Sequence, residues 1–98
     1  MTIEIKRNAE EVVIEIVGRL DTNTAPALDR TISEDISDSQ SLVLDLKGLE
    51  YISSAGLRVL LGAQKKMLKC GSMKLKNVRE EVMEVFEITG FCDILTIE

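Results

Sequence analysis

Hydrophobic and polar residues alternate in two stretches near the start of the sequence. Residues 2–6 alternate, with Ile3 and Ile5 on one face, and this period of two predicts a β-strand. Residues 12–17 carry valine and isoleucine on both faces, which predicts a second and more deeply buried strand. The largely polar residues 7–10 between them are few enough for a hairpin connection.

The spacing of apolar residues changes to a helical period after the second strand. Asp21-Thr22-Asn23-Thr24 is a cluster of helix-capping residues, and a proline follows it in the expected first turn. Leu28, Ile32 and Ile36 then recur every four positions, which predicts a first helix that ends near residue 37.

The rest of the chain continues the alternation of strand and helix. The pattern predicts, in order, a loop at 37–40, a strand at 42–46, a connector at 47–52, a helix beginning at 53–54, a strand at 73–76, a helix around 82–89 and a last strand at 94–97. Gly71 and Gly90 are expected to end the two helices. The inner stripe of the first of these helices is predicted to consist of Leu57, Leu60, Leu61, Gln64 and Leu68.

The order of elements, β-β-α-β-α-β-α-β, predicts the fold class. Strands that alternate with helices favour right-handed crossovers between parallel strands. A chain of 98 residues is expected to form one domain. We therefore expect a single α/β domain over residues 1–98, with a mixed sheet and packed helices.

Composition and charge argue against several classes of function. The net charge is −5, whereas direct nucleic-acid binding requires clustered Lys and Arg, so no nucleic-acid partner is expected. The chain has neither a long apolar run nor a signal-peptide pattern, so we expect no membrane insertion and a cytoplasmic protein. It has no histidine, which is the commonest general base and metal ligand. We predict no enzyme activity, no metal site and no cofactor.

Two predicted loops follow the carboxyl ends of strands, where sites form in open α/β sheets. One covers residues 19–24 and the other residues 50–56, which include the small residues Ser53-Ser54-Ala55-Gly56. One serine could cap the helix by accepting a hydrogen bond from a first-turn amide. A serine hydroxyl there could instead be a modification site, because the positive end of a helix tolerates a phosphate.

Two other chemistries for these loops are weighed and set aside. A serine hydrolase needs a base beside its nucleophile, and the chain has no histidine and no glycine-flanked nucleophile motif. An acidic metal pocket of Asp21, Asp45 and Glu50 is disfavoured, because Asp45 lies within a predicted strand. These residues are expected to be solvated or to cap helices.

The residues around this turn resemble a known family. The stretch 51–61, Tyr-Ile-Ser-Ser-Ala-Gly-Leu-Arg-Val-Leu-Leu, is similar to the signature of the STAS domain family, and most closely to its bacterial anti-sigma factor antagonists (anti-anti-sigma factors). Residues 18–22 resemble that family's Gly-x-Leu-Asp turn after the second strand. Residues 42–46 and 82–91 are similar to its third strand and its closing helix, so the resemblance covers essentially the whole chain.

The resemblance implies a partner-switching protein. In that family the unphosphorylated antagonist binds an anti-sigma factor that is also a serine kinase, which frees a sigma factor, and a phosphatase reverses the phosphorylation. The matching acceptor here is Ser54, although Ser53 stands where the family usually has Asp and is a second candidate acceptor. The residues expected to contact the partner are Asp21, Thr22, Asn23, Ser53, Ser54, Ala55, Gly56, Leu57 and Arg58.

Two alternatives stay open at this point. Leu57 could pack in the core rather than contact a partner. The whole chain could also be a STAS scaffold that is not phosphorylated, such as a subunit of a lipid-transport complex or of a stressosome-like assembly.

Overall fold

A computed structural model describes residues 1–7, 10–35 and 41–98 of the chain. Its elements are β1 (Thr2–Arg7), β2 (Glu11–Leu20), α1 (Ala25–Asp35), β3 (Ser41–Ile52), α2 (Ser54–Cys70), β4 (Met73–Lys76), α3 (Glu80–Thr89) and a 3-10 turn (Phe91–Asp93). The centre of the predicted hairpin and the predicted loop at 37–40 lie outside the described residues. Within the described ranges, no helix combines the length and apolar character that crossing a membrane requires.

The four strands form one mixed sheet in the order β1-β2-β3-β4. β1 pairs with β2 in an antiparallel manner, whereas β2 with β3 and β3 with β4 are parallel. A parallel pair needs a crossover connection, and α1 and α2 supply the two that this order requires. The prediction of a single α/β domain with a mixed sheet is therefore confirmed.

One face of the sheet carries the hydrophobic core. Alternate residues of the strands and the inner stripes of the helices join a single buried cluster, which includes Val12, Ile14, Ile16, Leu28, Leu42, Leu44, Leu60, Leu75 and Phe86. Several of the intervening strand residues are charged: Lys6 of β1 pairs with Glu15 of β2 at 2.9 Å, and Lys74 of β4 pairs with Glu98, which follows the 3-10 turn, at 3.1 Å. The helices therefore pack against the apolar face and leave the charged face open to solvent.

The predicted connector at 47–52 is wrong, because β3 continues through it to Ile52. A register shift between Glu15 and Val17 places Gly48 opposite Val17, and this bulge breaks the alternation. Leu46 and Leu49 are therefore both buried although they are three residues apart. A Cβ atom on Gly48 would lie 2.8 Å from Cγ2 of Val17, so the close approach of the strands explains the glycine.

The predicted strand at 94–97 is reduced to a single parallel bridge between Leu75 and Ile97. The N–H of Leu75 donates to the carbonyl of Thr96 at 2.8 Å, and the N–H of Glu98 donates to the carbonyl of Leu75 at 2.9 Å. A 3-10 turn at Phe91–Asp93 precedes this segment, and only the last residues of the segment reach the edge of the sheet.

The predicted inner stripe of α2 is correct at three of its five positions. Leu57, Leu60 and Gln64 are buried, whereas Leu61 is only half-buried and lies outside the core cluster, and Leu68 is 74% exposed. Met67 occupies the inward position instead, and one residue further along a helix turns the side chain by about 100°. Leu68 therefore points away from the sheet.

Candidate functional site

The parallel pairing of β2 with β3 brings the two predicted loops together. Leu20 and Ile52, the last residues of these strands, lie opposite each other in the sheet. The N–H of Ser53 donates to the carbonyl of Leu20 at 2.9 Å, which ties the start of α2 to the end of β2. The turn at 21–24 and the start of α2 are therefore neighbours at the carboxyl edge of the sheet.

Asp21 organises the turn that leads into α1. Its Oδ1 atom accepts hydrogen bonds from the N–H of Asn23 at 3.0 Å and of Thr24 at 3.1 Å. Burial opposes the charged form of this carboxylate, but these two backbone bonds, the Thr24 hydroxyl and the Arg19 charge outweigh it, so the pKa of Asp21 is lowered. Its carbonyl also accepts from the N–H of Ala25 at 2.8 Å. Asp21 thus holds the turn, which leaves Thr22 and Asn23 exposed.

The two adjacent serines have different environments. Ser53 is the N-cap of α2, and its half-buried hydroxyl accepts a hydrogen bond from the N–H of Gly56 at 3.4 Å. Ser54 is the first residue of the helix and is exposed. Its hydroxyl makes no hydrogen bond to any residue that the structure describes. Of the two sequence interpretations, capping therefore applies to Ser53, and Ser54 keeps an accessible hydroxyl.

Small residues let the first turn of α2 pack closely against the strands. A Cβ atom on Gly56 would lie 2.8 Å from Cγ1 of Ile52 and from Cγ of Leu20, and 3.0 Å from the Leu20 carbonyl oxygen. Leu57 is only 7% exposed and belongs to the core cluster, so the structure favours core packing for this residue. Ala55 is half-buried, and Arg58 is exposed. Of these four predicted contact residues, Arg58 presents the most accessible side chain.

A stacked pair borders the site and was not singled out from the sequence. Arg19 and Tyr51 are partners in the β2–β3 register, and the guanidinium carbon of Arg19 lies 4.1 Å from the centroid of the Tyr51 ring. The Arg19 Nε atom lies 4.0 Å from Oδ2 of Asp21. The sequence did not reveal this stack, because Tyr51 lies in the segment predicted to be a connector, and a connector residue would have no cross-strand partner.

Within the described part of the chain, no group of three or more acidic, cysteine or histidine residues could hold a metal ion. Asp21 is used by the turn. Asp45 accepts hydrogen bonds through Oδ1 from the N–H of Lys47 at 3.0 Å and from Nδ2 of Asn77 at 3.1 Å. Each of these two carboxylates therefore has a structural role of its own.

Comparison with known proteins gives consistent results. A family model described as the STAS domain matches residues 2–98. The anti-sigma-B factor antagonist of Bacillus subtilis (strain 168) is 33% identical over 98 residues, which are 99% of this chain and 90% of that protein. The crystal structure of an anti-sigma factor antagonist from Mycobacterium paratuberculosis superposes with a TM-score of 0.87 at 26% identity, and the match covers 98% of this chain and 83% of that one.

The same fold is found in the anti-sigma factor antagonist SpoIIAA of Bacillus. Its unphosphorylated form matches with a TM-score of 0.82 at 22% identity over 99% of this chain and 88% of that one. Its phosphorylated form matches with a TM-score of 0.75 at 21% identity, and the match covers 99% of this chain and 91% of that one. At this identity the likeness shows a shared fold.

Proposed function

Because the chain belongs to the STAS domain family, we propose that it is an anti-sigma factor antagonist that phosphorylation of Ser54 switches off. The unphosphorylated protein binds an anti-sigma factor that is also a serine kinase, and this binding releases a sigma factor. The kinase then phosphorylates the antagonist, and a phosphatase restores it. A relative named as an anti-sigma-B factor antagonist, 33% identical over 99% of this chain, supports this class of partner.

The environment of the two serines carries the choice of Ser54. A kinase must reach the hydroxyl from solvent, and the exposed Ser54 meets that requirement. The Ser53 hydroxyl is half-buried and accepts a hydrogen bond from the helix amide of Gly56, so it is less accessible to a kinase than the Ser54 hydroxyl. Ser and Asp are both good N-caps, so Ser53 in place of the family's usual Asp keeps this helix start.

The expected effect of the phosphate falls on the partner rather than on the fold. A phosphate on Ser54 would lie at the N-terminus of a 17-residue helix, where negative charge is favourable. It would add about two negative charges to a surface that the exposed residues Thr22 and Asn23 share. A partner that fits the unphosphorylated surface meets new bulk and charge, and a tenfold loss of affinity requires only about 1.4 kcal/mol.

Phosphorylation with a matched pair of variants tests the acceptor. The purified chain, Ser54→Ala and Ser53→Ala are each incubated with ATP and the anti-sigma factor kinase encoded nearest to this protein in the source genome. We expect one added phosphate in the parent and in Ser53→Ala, mapped to Ser54 by mass spectrometry, and none in Ser54→Ala. Loss of the phosphate only in Ser53→Ala would overturn the choice of Ser54.

A binding experiment tests the switch itself. The parent chain and Ser54→Asp serve as baits in lysate from the source cell, and captured proteins are identified by mass spectrometry. We expect the parent to capture an anti-sigma factor and Ser54→Asp to capture at least about tenfold less, while both stay folded by circular dichroism. Equal capture by both baits, together with the absence of phosphorylation, would favour the scaffold alternative.

A further inference from the structure

Arg58 lies one helical turn after Ser54 in α2, and both residues are exposed. Side chains that are four residues apart in a helix share one face, with about 5–6 Å between their Cβ atoms. Long helical side chains lean toward the N-terminus of their helix, so the guanidinium of Arg58 is directed at the turn that begins with Ser54. The two residues are therefore neighbours on one accessible surface.

Arg58 has no carboxylate on its own helix to balance its charge. α2 contains three lysines and no acidic residue. The positions three and four residues away from Arg58 are occupied by Ser54, Ala55, Leu61 and Gly62, and only Ser54 has a polar side chain. A modification of Ser54 would thus give Arg58 its first anionic neighbour on this helix.

Two other arginines lie near the carboxyl ends of the parallel strands, and both are engaged. Arg19 lies over an aromatic ring and 4.0 Å from Oδ2 of Asp21. Arg79, which follows β4 and begins α3, pairs with Glu81 at 3.6 Å. The Arg58 side chain, in contrast, forms no ion pair and no hydrogen bond with any residue in the described part of the chain.

We propose that a phosphate on Ser54 pairs with the guanidinium of Arg58, and that Arg58 in the unphosphorylated chain binds an acidic side chain of the partner. This inference rests on the proposed function, because it takes the phosphorylation of Ser54 as given. Phosphoserine has three acceptor oxygens, and the forked N–H donors of a guanidinium fit two of them. An acid that precedes a base by four residues is also the favourable order for such a pair.

The pair adds a second component to the switch. In the unphosphorylated protein, whose net charge is −5, Arg58 is a positive group that attracts a carboxylate of a partner. The phosphate engages this guanidinium and adds negative charge at the same place. The partner therefore loses an attraction and meets a repulsion, so the loss of affinity has two sources.

Phosphoserine introduced at position 54 by genetic encoding tests the pair without a kinase or a partner. The second pKa of the phosphate is measured by ³¹P NMR at 0.15 M salt in the full chain, in Arg58→Gln and in Lys65→Gln. Lys65 is exposed and lies about 16 Å along α2 from Ser54, so its substitution controls for the loss of one positive charge.

We expect Arg58→Gln to raise the second pKa of the phosphate by about 0.3 and Lys65→Gln to change it by less than about 0.1. Arg58→Lys keeps the charge and should retain most of the effect. Equal values in the parent and in Arg58→Gln would refute the pair. This result does not depend on whether a kinase uses Ser54, so it is separate from the test of the proposed function.

Binding to the anti-sigma factor kinase encoded nearest to this protein in the source genome tests the consequence. Its affinity is measured for the chain with serine and with phosphoserine at position 54, each with and without Arg58→Gln. We expect Arg58→Gln to lower the affinity about tenfold in the serine form and less than about twofold in the phosphoserine form. An equal loss in both forms, or no loss in the serine form, would overturn the role given to Arg58. Equal affinity of the parent in its two forms would instead contradict the proposed function.

Discussion

Ser53 and Ser54 are neighbours in sequence, yet only Ser53 directs its hydroxyl to the backbone of α2. The Ser53 hydroxyl accepts from the N–H of Gly56 at 3.4 Å, whereas the Ser54 side chain is exposed. One serine therefore stabilises the helix start, and the other can be modified without loss of that cap. This division leads directly to a difference in folding stability that can be measured.

Ser53→Ala should lower the free energy of unfolding by about 0.5–1 kcal/mol, because the N-cap hydrogen bond is lost. Ser54→Ala should change it by less than about 0.5 kcal/mol, as is usual for an exposed position. Urea denaturation followed by circular dichroism measures both. Ser53→Asp is the control that should retain the cap, and an equal loss in both alanine variants would contradict the assignment of Ser53 as the N-cap.

A negative charge at Ser54 should leave the fold intact. Ser54→Asp should keep or raise the free energy of unfolding by up to about 1 kcal/mol, because a carboxylate is favourable at the first turn of a helix. Ser54→Lys should lower it by a similar amount, and high salt should reduce the difference between the two. Thermal denaturation at low and high ionic strength provides the test. A clear destabilisation by Ser54→Asp alone would mean that the switch acts through unfolding.

Gly56 and Gly62 form a matched pair in α2. Gly56→Ala should destabilise the protein by about 1–3 kcal/mol, because the new Cβ would lie 2.8 Å from Leu20 and Ile52 side-chain atoms. A Cβ atom on Gly62 would have no other atom within 4 Å. Gly62→Ala should therefore stabilise the protein by about 0.5–1 kcal/mol, because alanine has the higher helix propensity. Denaturant unfolding measures both variants. Stabilisation by both would show that α2 does not pack against the strand ends as described.

The free energy of unfolding should depend on pH through Asp21. Its pKa is lowered in the folded protein, so its contribution is present above the ordinary value of 3.8 and is lost as the pH falls through the folded value. Asp21→Asn should therefore lower the urea midpoint at pH 7, and the gap from the parent should narrow in acid. Asp29→Asn, on the exposed surface of α1, controls for the loss of one carboxylate from the charge balance. A gap that widens in acid would contradict the hydrogen-bonded role of Asp21.

The extent of β3 could not be predicted from the periodicity of the sequence. Lys47 and Gly48 interrupt the alternation because a bulge opposite Val17 inserts an extra residue, and only the paired strand reveals that insertion. The exposed Arg19–Tyr51 stack was missed for the same reason, since it depends on the register of two strands. The parallel pairing itself was predictable, because strands that alternate with helices favour crossover connections.

The candidate site could be located from the sequence, but the roles of its residues could not. Small polar residues after β2 and β3 indicated two loops at the carboxyl ends of strands, and the structure places these loops next to each other. Which serine caps the helix depends on backbone angles, and Ser53 is the extended one, with φ −97° and ψ 176°. The burial of Leu57 likewise depends on how α2 is rotated against the sheet. The sequence also could not show that Oε1 of Gln64 is buried without a hydrogen-bond partner among the described residues, because this depends on the packing around α2.

The single bridge between Leu75 and Ile97 bears on self-association. β1, at one edge of the sheet, carries the charged residues Glu4 and Lys6, which discourage pairing with another strand. β4, at the other edge, alternates apolar residues with lysines over only four positions, and the backbone groups of Leu75 are covered by two hydrogen bonds. Without that cover, β4 would offer a template to extended segments of other chains. The short segment around Ile97 therefore covers the β4 edge of the sheet and should reduce aggregation through that edge.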